Sequence, residues 1–414
     1  MPTRLSAIAH SRFALWAAFL LVHLWLGLLN LHGPGNPIGD VSWVYLFWME
    51  YFVDNGLLVG IDTQWVYPIL ALLPMGAAYA LGPEAYTSTW LTLVMLLDLV
   101  ALAVLTDAGR SDRGHVAGWW WTASLLLLGP VALGRVDSVS VPIAVVAVAL
   151  LGRHPRVAGV LLAVGAWMKI WPAAIGLAVV VAARSRWQVL VAAVVTTAVV
   201  VMTALLLGSG SNVFSFVTQQ TGRGLQVEAP VSTVYLWLAA LHQGAAIVYY
   251  DTGILTFQVS GTNATLVASL MTPLLAVAVA AIAVLGIRAQ RAGAATRDLL
   301  PPLALAVVTA FIVVNKVGSP QFEAWLVAPV VLGLLLQRGG FRVPAVLVLV
   351  IDGLTQVIYP YLYDQLLALH PGMLAVISLR NLLLIALLAW AVREVWRSAR
   401  PVNVRDDGYD PSAV

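Results

Sequence analysis

The sequence predicts an all-α membrane protein with about twelve transmembrane helices and additional re-entrant or interfacial helices on one side. Hydrophobic residues make up 61% of the 414 residues, and charged residues only 10%. The apolar residues form repeated runs close to the roughly 20 residues that a helix needs to cross a bilayer. Basic residues are concentrated between these runs, which is the loop pattern of a polytopic protein.

The basic residues divide into two sets when the apolar runs are placed across a bilayer. Seventeen of the 22 lie in short loops or tails that can share the cytoplasmic side. They are Arg4, Arg12, Arg110, Arg113, Arg153, Arg156, Arg184, Arg186, Arg288, Arg291, Arg297, Arg338, Arg342, Arg393, Arg397, Arg400 and Arg405. The other five, at the opposite ends of the helices, are Arg135, Lys169, Arg223, Lys316 and Arg380. Basic residues are normally concentrated on the cytoplasmic side, so cations on the opposite side need another reason to be there. They indicate either anion binding or pairing with carboxylates such as Asp137, Glu228, Glu323 and Asp364.

Twelve spans follow from this division, with both termini cytoplasmic and the protein in the plasma membrane. Their ranges are 13–31, 86–107, 117–133, 138–152, 156–169, 172–184, 187–207, 263–287, 299–314, 320–337, 341–361 and 373–392. The runs 67–82 and 231–249 are predicted to be re-entrant or interfacial helices on the outer side, because full crossings would turn six arginines outward. Residues 1–399 form one domain, and residues 400–414 form a disordered cytoplasmic tail.

Two spans, 138–152 and 156–169, are too short for a full crossing. Their outer ends should therefore lie below the membrane surface and hold Arg135, Asp137 and Lys169 in a recess, with Arg135 and Asp137 as an adjacent ion pair. The alternative is that these helices extend into the loops while the long side chains reach water.

The outer segment 32–66 is the most polar of the three long outer segments. Asp40 can cap a helix over Val41–Val53, and this role is compatible with a second one as a catalytic base. Asp54 and Asp62 flank a glycine-containing turn, where solvated carboxylates are the expected interpretation.

Several classes of function are excluded. The chain has no cysteine, so thiol catalysis and thiolate metal sites are absent, and its histidines show no metal-ligand spacing. It has no Walker motif, serine elbow or dinucleotide fingerprint. The net charge of +3 follows from the cytoplasmic arginines and does not indicate nucleic-acid binding. We therefore expect no metal, no cofactor and no nucleic-acid partner.

A set of short motifs spans nearly the whole chain. They are Asp40 after the first helix, GRVDSV at 134–139, Lys169-Ile-Trp-Pro172, RGLQVEAP at 223–230, KVGSPQFEAWL at 316–326, YPYLYD at 359–364 and RN at 380–381. In this order and placement they resemble the GT-C glycosyltransferases of family 87, actinobacterial enzymes that use polyprenyl-phosphate sugars.

The resemblance implies an enzyme that moves a sugar, most often mannose, from a polyprenyl-phosphate donor to a glycolipid or lipoglycan acceptor of the cell envelope. It implies Asp40 as the base of an inverting transfer. Lys169, Lys316, Arg223 and Arg380 would bind the donor phosphate, whose developing charge needs preorganised cations. Sugar and acceptor contacts are assigned to Arg135, Asp137, Asp62, Gln321 and Glu228.

This sequence departs from the family pattern at Phe322, where a tyrosine is frequent, and at Glu323, which adds a charge. The same enzyme class using arabinofuranose therefore stays open. A second class of function is a transporter or flippase of polyprenyl-phosphate-linked lipids, in which the cations only bind a phosphate headgroup. Transporters usually have broken helices at the midplane and symmetric halves, which this sequence does not show.

Overall fold

The computed structural model describes residues 11–107, 110–337 and 340–399. The predicted tail, 400–414, lies outside the described residues. The chain is mostly helical. The α-helices are α1 Arg12–His32, α2 Leu46–Asn55, α3 Leu72–Tyr79, α4 Tyr86–Leu105, α5 Asp112–Leu128, α6 Asp137–Leu150, α7 Pro155–Met168, α8 Pro172–Ala182, α9 Arg186–Leu206, α10 Ser215–Thr221, α11 Ser232–Ala240, α12 Ala264–Arg291, α13 Thr296–Val313, α14 Val327–Leu336, α15 Arg342–Gln356, α16 Tyr363–Leu367 and α17 Pro371–Ser398.

Shorter elements complete the chain. These are π-helical segments at Asp40–Tyr45 and Val357–Tyr361, 3-10 segments at Ile69–Ala71, Gly129–Ala132, Gly210–Phe214 and Pro320–Leu326, and strands β1 Leu225–Gln226, β2 Ile247–Asp251 and β3 Thr256–Ser260. Proline begins α7, α8 and α17, where its missing N–H needs no partner. Serine caps the first turn of α1 and α5 by accepting from Ala14 and Gly114.

Each predicted span coincides with a helix, or with a helix continued by a 3-10 or π segment. Seven helices among the described residues are long and apolar enough to cross a membrane: α1, α4, α9, α12, α13, α15 with its π-helical extension, and α17. The protein is thus a multi-pass helical membrane protein. Twelve crossings remain a prediction, because the other five predicted spans fall on shorter elements: α5, α6, α7, α8 and the Pro320–Leu336 pair of segments.

The core lies around α13. In the most apolar window of α13, 72% of the residues are buried, against 11% for α9. The α9 surface exposes Val191, Val194, Val195, Val199 and Met202, which suits contact with lipid. A helix that is apolar on all sides is either buried in a core or in contact with lipid. The burial of α13 corresponds to the first case, and the exposure of α9 to the second.

The segment after α1 differs from its predicted form. The expected helix Val41–Val53 is present as the π-helical segment Asp40–Tyr45 followed by α2. Its N-cap is Gly39, and no side chain caps it. The prediction that Asp40 caps this helix is therefore wrong, and its carboxylate is directed to a partner elsewhere in the fold.

A small sheet was not predicted. The run 231–249 is helical only as α11, and its last residues form β2. The three strands pair antiparallel in the order β1-β3-β2. The sequence Ile247-Val-Tyr-Tyr250 is rich in the β-branched and aromatic residues that favour strands, but its hydrophobicity also fitted a helix. The run 67–82 contains the expected short helices, Ile69–Ala71 and α3.

The bundle has two chemically different ends. We call one of them the arginine end. There the Arg113 guanidinium donates to the carbonyl of Leu335 at 2.9 Å, and the Thr296 hydroxyl donates to the carbonyl of Ala182 at 2.9 Å. The first contact joins the start of α5 to the end of α14, and the second joins the end of α8 to the start of α13. At the other end, the site end, the loops 33–68, 129–136, 169–171, 207–262, 314–319 and 362–370 meet. Arg113, Arg153, Arg184 and Arg297 line cavities at the arginine end, whereas Arg135, Lys169 and Arg380 form ion pairs at the site end.

The orientation of the bundle can be tested by thiol labelling, since the chain has no cysteine. Ala292→Cys lies at the arginine end and Ser211→Cys at the site end, and both positions are exposed. If the arginine loops are cytoplasmic, a membrane-impermeant maleimide added to intact cells should label Cys at 211 and spare Cys at 292. Permeabilised cells provide the control, in which both should react. Labelling at 292 alone would invert the topology.

Candidate functional site

Asp40 and Arg135 form the first element of the site. Arg135 Nε lies 3.2 Å from Asp40 Oδ2. The remaining guanidinium nitrogens donate to the carbonyls of Pro37 and Gly134, at 2.6 and 2.7 Å, and to the hydroxyl of Tyr359 at 3.0 Å. The Arg135 side chain is 8% exposed, whereas that of Asp40 is 40% exposed. A rigidly held cation therefore orients a carboxylate that solvent can still reach.

Lys169 and Asp137 form the second element. Lys169 Nζ lies 3.3 Å from Asp137 Oδ2, and the indole N–H of Trp325 donates to Asp137 Oδ1 at 2.6 Å. The predicted ion pair between Arg135 and Asp137 is thus wrong: each residue pairs with a different, more distant partner. Residues separated by two positions at the start of a helix point in different directions, which prevents their side chains from meeting.

The turn between α7 and α8 positions Lys169. Because α7 ends at Met168 and α8 begins at Pro172, only three residues connect the helices. Trp171 anchors this turn: its indole N–H donates to Ser140 Oγ at 3.0 Å, and its ring stacks on Trp325 with centroids 5.9 Å apart. The start of α6 and the end of α7 therefore hold the two members of the Lys169–Asp137 pair.

Two aromatic rings also contact Lys169. Its ammonium lies 4.8 Å from the centroid of Tyr67 and 5.7 Å from that of Phe322. The rings add a further attraction for the positive charge of Lys169.

Arg223 lies within electrostatic range of both Lys316 and Lys169. Burial lowers the pKa of Lys316, and the neighbouring Arg223 lowers it further. Burial also lowers the pKa of Arg223, while Tyr67 and Asp251 raise it. The positive charge of Arg223 thus acts on both lysines, and an anion bound beside it would relieve this repulsion.

The loops that carry Arg223 and Lys316 are joined through their backbones. The N–H of Gln226 donates to the carbonyl of Lys316 at 2.9 Å. Gly318 packs so tightly on Ala229 that a Cβ there would overlap the backbone of Ala229. Only glycine permits this approach. The motifs at 223–230 and 316–326 are therefore one structural unit, which fixes the separation of the two cations.

Arg380 is placed differently from the other four cations. Its guanidinium donates to the carboxylate of Glu323 and, at 2.9 Å, to the carbonyl of Glu228. It also lies 3.7 Å from the Glu228 carboxylate, and all three side chains are 3% exposed or less. Arg135 and Lys169 each pair with one carboxylate, whereas the charge of Arg380 is surrounded by two.

Aromatic residues connect the Asp40–Arg135 pair to Lys169. The hydroxyl of Tyr45 accepts from the N–H of Val136 at 3.2 Å, and the Tyr45 ring meets that of Tyr67 edge-on at 6.1 Å. Tyr67 in turn contacts Lys169. A carboxylate and a group of cations are thus held on the same end of the bundle with tyrosines between them.

The remaining predicted site residues have varied positions. Asp62 lies in the turn after α2, where its carboxylate accepts from the N–H of Leu58 at 2.7 Å. Gln321 is buried at the start of the 3-10 segment that carries Glu323. Glu228 belongs to the buried group around Arg380. None of these three contacts Asp40 or Lys169 through a hydrogen bond or ion pair within the described residues.

Sequence reasoning missed three residues of the site: Tyr67, Tyr359 and Trp325. Each contacts a charged residue of the site through a ring or a hydrogen bond. Tyr359 and Trp325 lie inside the motifs 359–364 and 316–326, so the sequence could have indicated them as site residues. Tyr67 could not be found in this way, because it is one tyrosine among many aromatic residues and belongs to no motif.

Comparison with known proteins gives one match. A family model described as glycosyltransferase family 87 matches residues 65–295, more than half of the chain. The matched range includes Arg135, Asp137, Lys169 and Arg223, whereas Asp40 and Lys316 lie outside it. The comparison with curated proteins gives no match.

The buried group around Arg380 should make stability depend on pH. Burial raises the pKa of Glu228 from 4.5 to about 7; Arg380 opposes this shift and Glu323 adds to it. The folded protein therefore keeps a proton that the unfolded chain loses, so stability is fully present below pH 4.5 and is lost as pH rises through about 7. We expect a lower Tm at pH 8 than at pH 5 in detergent, and a smaller difference in Glu228→Gln. The exposed Glu84→Gln is the control; equal pH dependence in both variants would refute the assignment.

Proposed function

Since the chain belongs to glycosyltransferase family 87, we propose that it transfers a sugar, mannose, from a polyprenyl-phosphate donor to a glycolipid or lipoglycan acceptor of the cell envelope. The reaction takes place on the extracytoplasmic face of the plasma membrane. One observation carries the proposal: a half-exposed carboxylate and a separate group of cations lie at the same end of the bundle. Transfer from a phosphate-linked sugar needs a base on one side and cations on the other.

Asp40 is the general base in this proposal. The acceptor hydroxyl attacks the anomeric carbon while Asp40 takes its proton, and the bond between that carbon and the phosphate oxygen breaks. Polyprenyl phosphate leaves, and the anomeric configuration inverts. The role suits Asp40 because its side chain is the more accessible of the two paired carboxylates, 40% against 2% exposed for Asp137. A base must reach the hydroxyl within hydrogen-bond distance.

Arg135 is a positioning residue. Its three other hydrogen bonds fix the guanidinium, so its Nε can hold one oxygen of Asp40 while the other faces outward. This replaces the earlier expectation that Arg135 contacts sugar or acceptor, since its nitrogens are already occupied within the protein. Preorganisation of this kind reduces the reorganisation that catalysis would otherwise need.

Lys169, Lys316 and Arg223 bind the phosphate of the sugar donor and stabilise the charge that develops as it leaves. Burial and the nearby charge of Arg223 lower the pKa of Lys316, and this supports the role because a bound phosphate would offset the repulsion from Arg223. Arg380 holds Glu228 and Glu323 instead, so in the proposal it fixes the loops that carry Arg223 and Lys316 and does not contact phosphate.

Replacement of the base tests the mechanism. Asp40→Asn keeps the shape of the side chain but cannot accept a proton, so transfer should fall by at least about a hundredfold while binding of the sugar donor is preserved. The measurement uses purified protein in lipid with a radiolabelled polyprenyl-phosphate mannose and a membrane extract as the source of acceptor. Asp54→Asn, an exposed carboxylate of the same segment, is the matched control and should stay active. Normal transfer by Asp40→Asn together with loss in Asp137→Asn would move the base to the Lys169 pair.

Removal of a cation tests the phosphate site. Lys169→Met and Lys316→Met should each slow transfer about ten- to a hundredfold, since a charge-assisted hydrogen bond contributes roughly 1.5–3 kcal/mol. Because Lys169→Met leaves Asp137 buried without its partner, the double variant Lys169→Met/Asp137→Asn separates loss of folding from loss of phosphate binding. It should fold but remain slow. Arg288→Met, at the arginine end, is the control. Full activity of the double variant would show that Lys169 serves only to neutralise Asp137.

A further inference from the structure

A cavity of 690 Å³ opens at the arginine end of the bundle, away from the candidate active site. It lies between the ends of α4, α5, α6, α8, α13 and α14. Its volume is within the range of small-molecule sites, roughly 300–1,000 Å³. None of the residues that the proposed reaction uses lines it.

The floor of the cavity is apolar and its rim is basic. Apolar side chains from four helices form the floor, among them Leu105, Val148, Leu300, Leu332 and Leu335. The rim carries three arginines, Arg113, Arg153 and Arg184, and one carboxylate, Asp107. The cavity is therefore amphipathic and has an excess of positive charge.

The single carboxylate does not neutralise this rim. Asp107 lies 3.6 Å from Arg153 and 3.4 Å from Arg110, so two arginines share it. Arg113 donates to a neutral backbone carbonyl. Among the described residues Arg184 has no ion-pair partner, and its side chain is exposed. Positive charge is thus left available at the mouth of the cavity, where a phosphate oxygen can reach it.

The apolar floor and the basic rim together favour a ligand that has both an apolar part and a negative charge. A free phosphate would use the arginines but leave the apolar floor in contact with water. A neutral lipid would use the floor but not the arginines. A phosphate group attached to an apolar chain uses both, and basic pockets between helices at the cytoplasmic side of membrane proteins bind anionic lipid headgroups in this way.

We propose that this cavity binds an anionic phospholipid, with the phosphate on Arg153 and Arg184 and part of an acyl chain over the apolar floor. The cavity also adjoins the connection between two helices of the candidate active site. The loop at Gly152 and Arg153 joins α6 to α7, the two short helices that carry Asp137 and Lys169 at their far ends. A lipid held there contacts the connection between these helices directly.

Native mass spectrometry of the whole protein can test the proposal. Protein in neutral detergent is titrated with phosphatidylglycerol and, separately, with phosphatidylcholine. Wild type should retain phosphatidylglycerol selectively, and Arg153→Gln/Arg184→Gln should retain it about tenfold more weakly. The matched control is Arg288→Gln/Arg291→Gln, which removes the same charge from α12 outside the cavity and should bind as wild type does. Equal retention by all three proteins would overturn the proposal.

A second variant separates the lipid from a free anion. Ala149→Phe fills the floor while all three arginines remain, so it should weaken phosphatidylglycerol binding. Unchanged binding by this variant would show that the acyl chain does not enter the cavity. Inorganic phosphate is the competing probe: if millimolar phosphate displaces the lipid from wild type as completely as excess lipid does, the site binds a free anion and the assignment to a phospholipid is wrong.

Discussion

Three largely buried cations at the site end are paired with carboxylates, and these pairs hold the loops of that end against the helices. Arg135 pairs with Asp40, Lys169 with Asp137, and Arg380 with two carboxylates. Removing one partner of a buried pair is strongly destabilising, typically by about 3–5 kcal/mol, because the other charge is left without compensation. Each pair therefore holds together segments that are distant along the chain.

The pairs differ in what they leave available for chemistry. Arg380 is enclosed by Glu228 and Glu323 and is 2% exposed, so its role is to fix two loops. Burial raises the pKa of Glu228 to about 7, although Arg380 opposes the shift, and the neighbouring Glu323 adds to it. Arg223 and Lys316 lie on those loops, where burial and then the nearby charge of Arg223 lower the pKa of Lys316. The contacts of Arg380 with Glu228 and Glu323 therefore hold in place the two loops that carry Arg223 and Lys316.

Much of the fold was predictable from sequence because local signals are strong. Proline at the start of α7 and α8, together with the arginine loops, located these helices to within a residue or two. The pairing was not predictable. Arg135 and Asp137 are neighbours in sequence, but helix geometry directs them to different partners, and those partners are distant in the sequence. The strand β2 was missed because the hydrophobicity of Ile247–Tyr250 fits a helix and a strand equally.

The choice between two candidate bases follows from their surroundings. Asp137 accepts a hydrogen bond from Trp325, pairs with Lys169 and is 2% exposed, so both oxygens are turned toward protein. Asp40 shares one oxygen with Arg135 and keeps a side chain that is 40% exposed. A proton from a bound hydroxyl can be transferred only to a carboxylate that the hydroxyl can reach. The two carboxylates thus suit different roles in the proposed reaction: Asp137 would hold Lys169 in place, and Asp40 would be accessible to accept the proton.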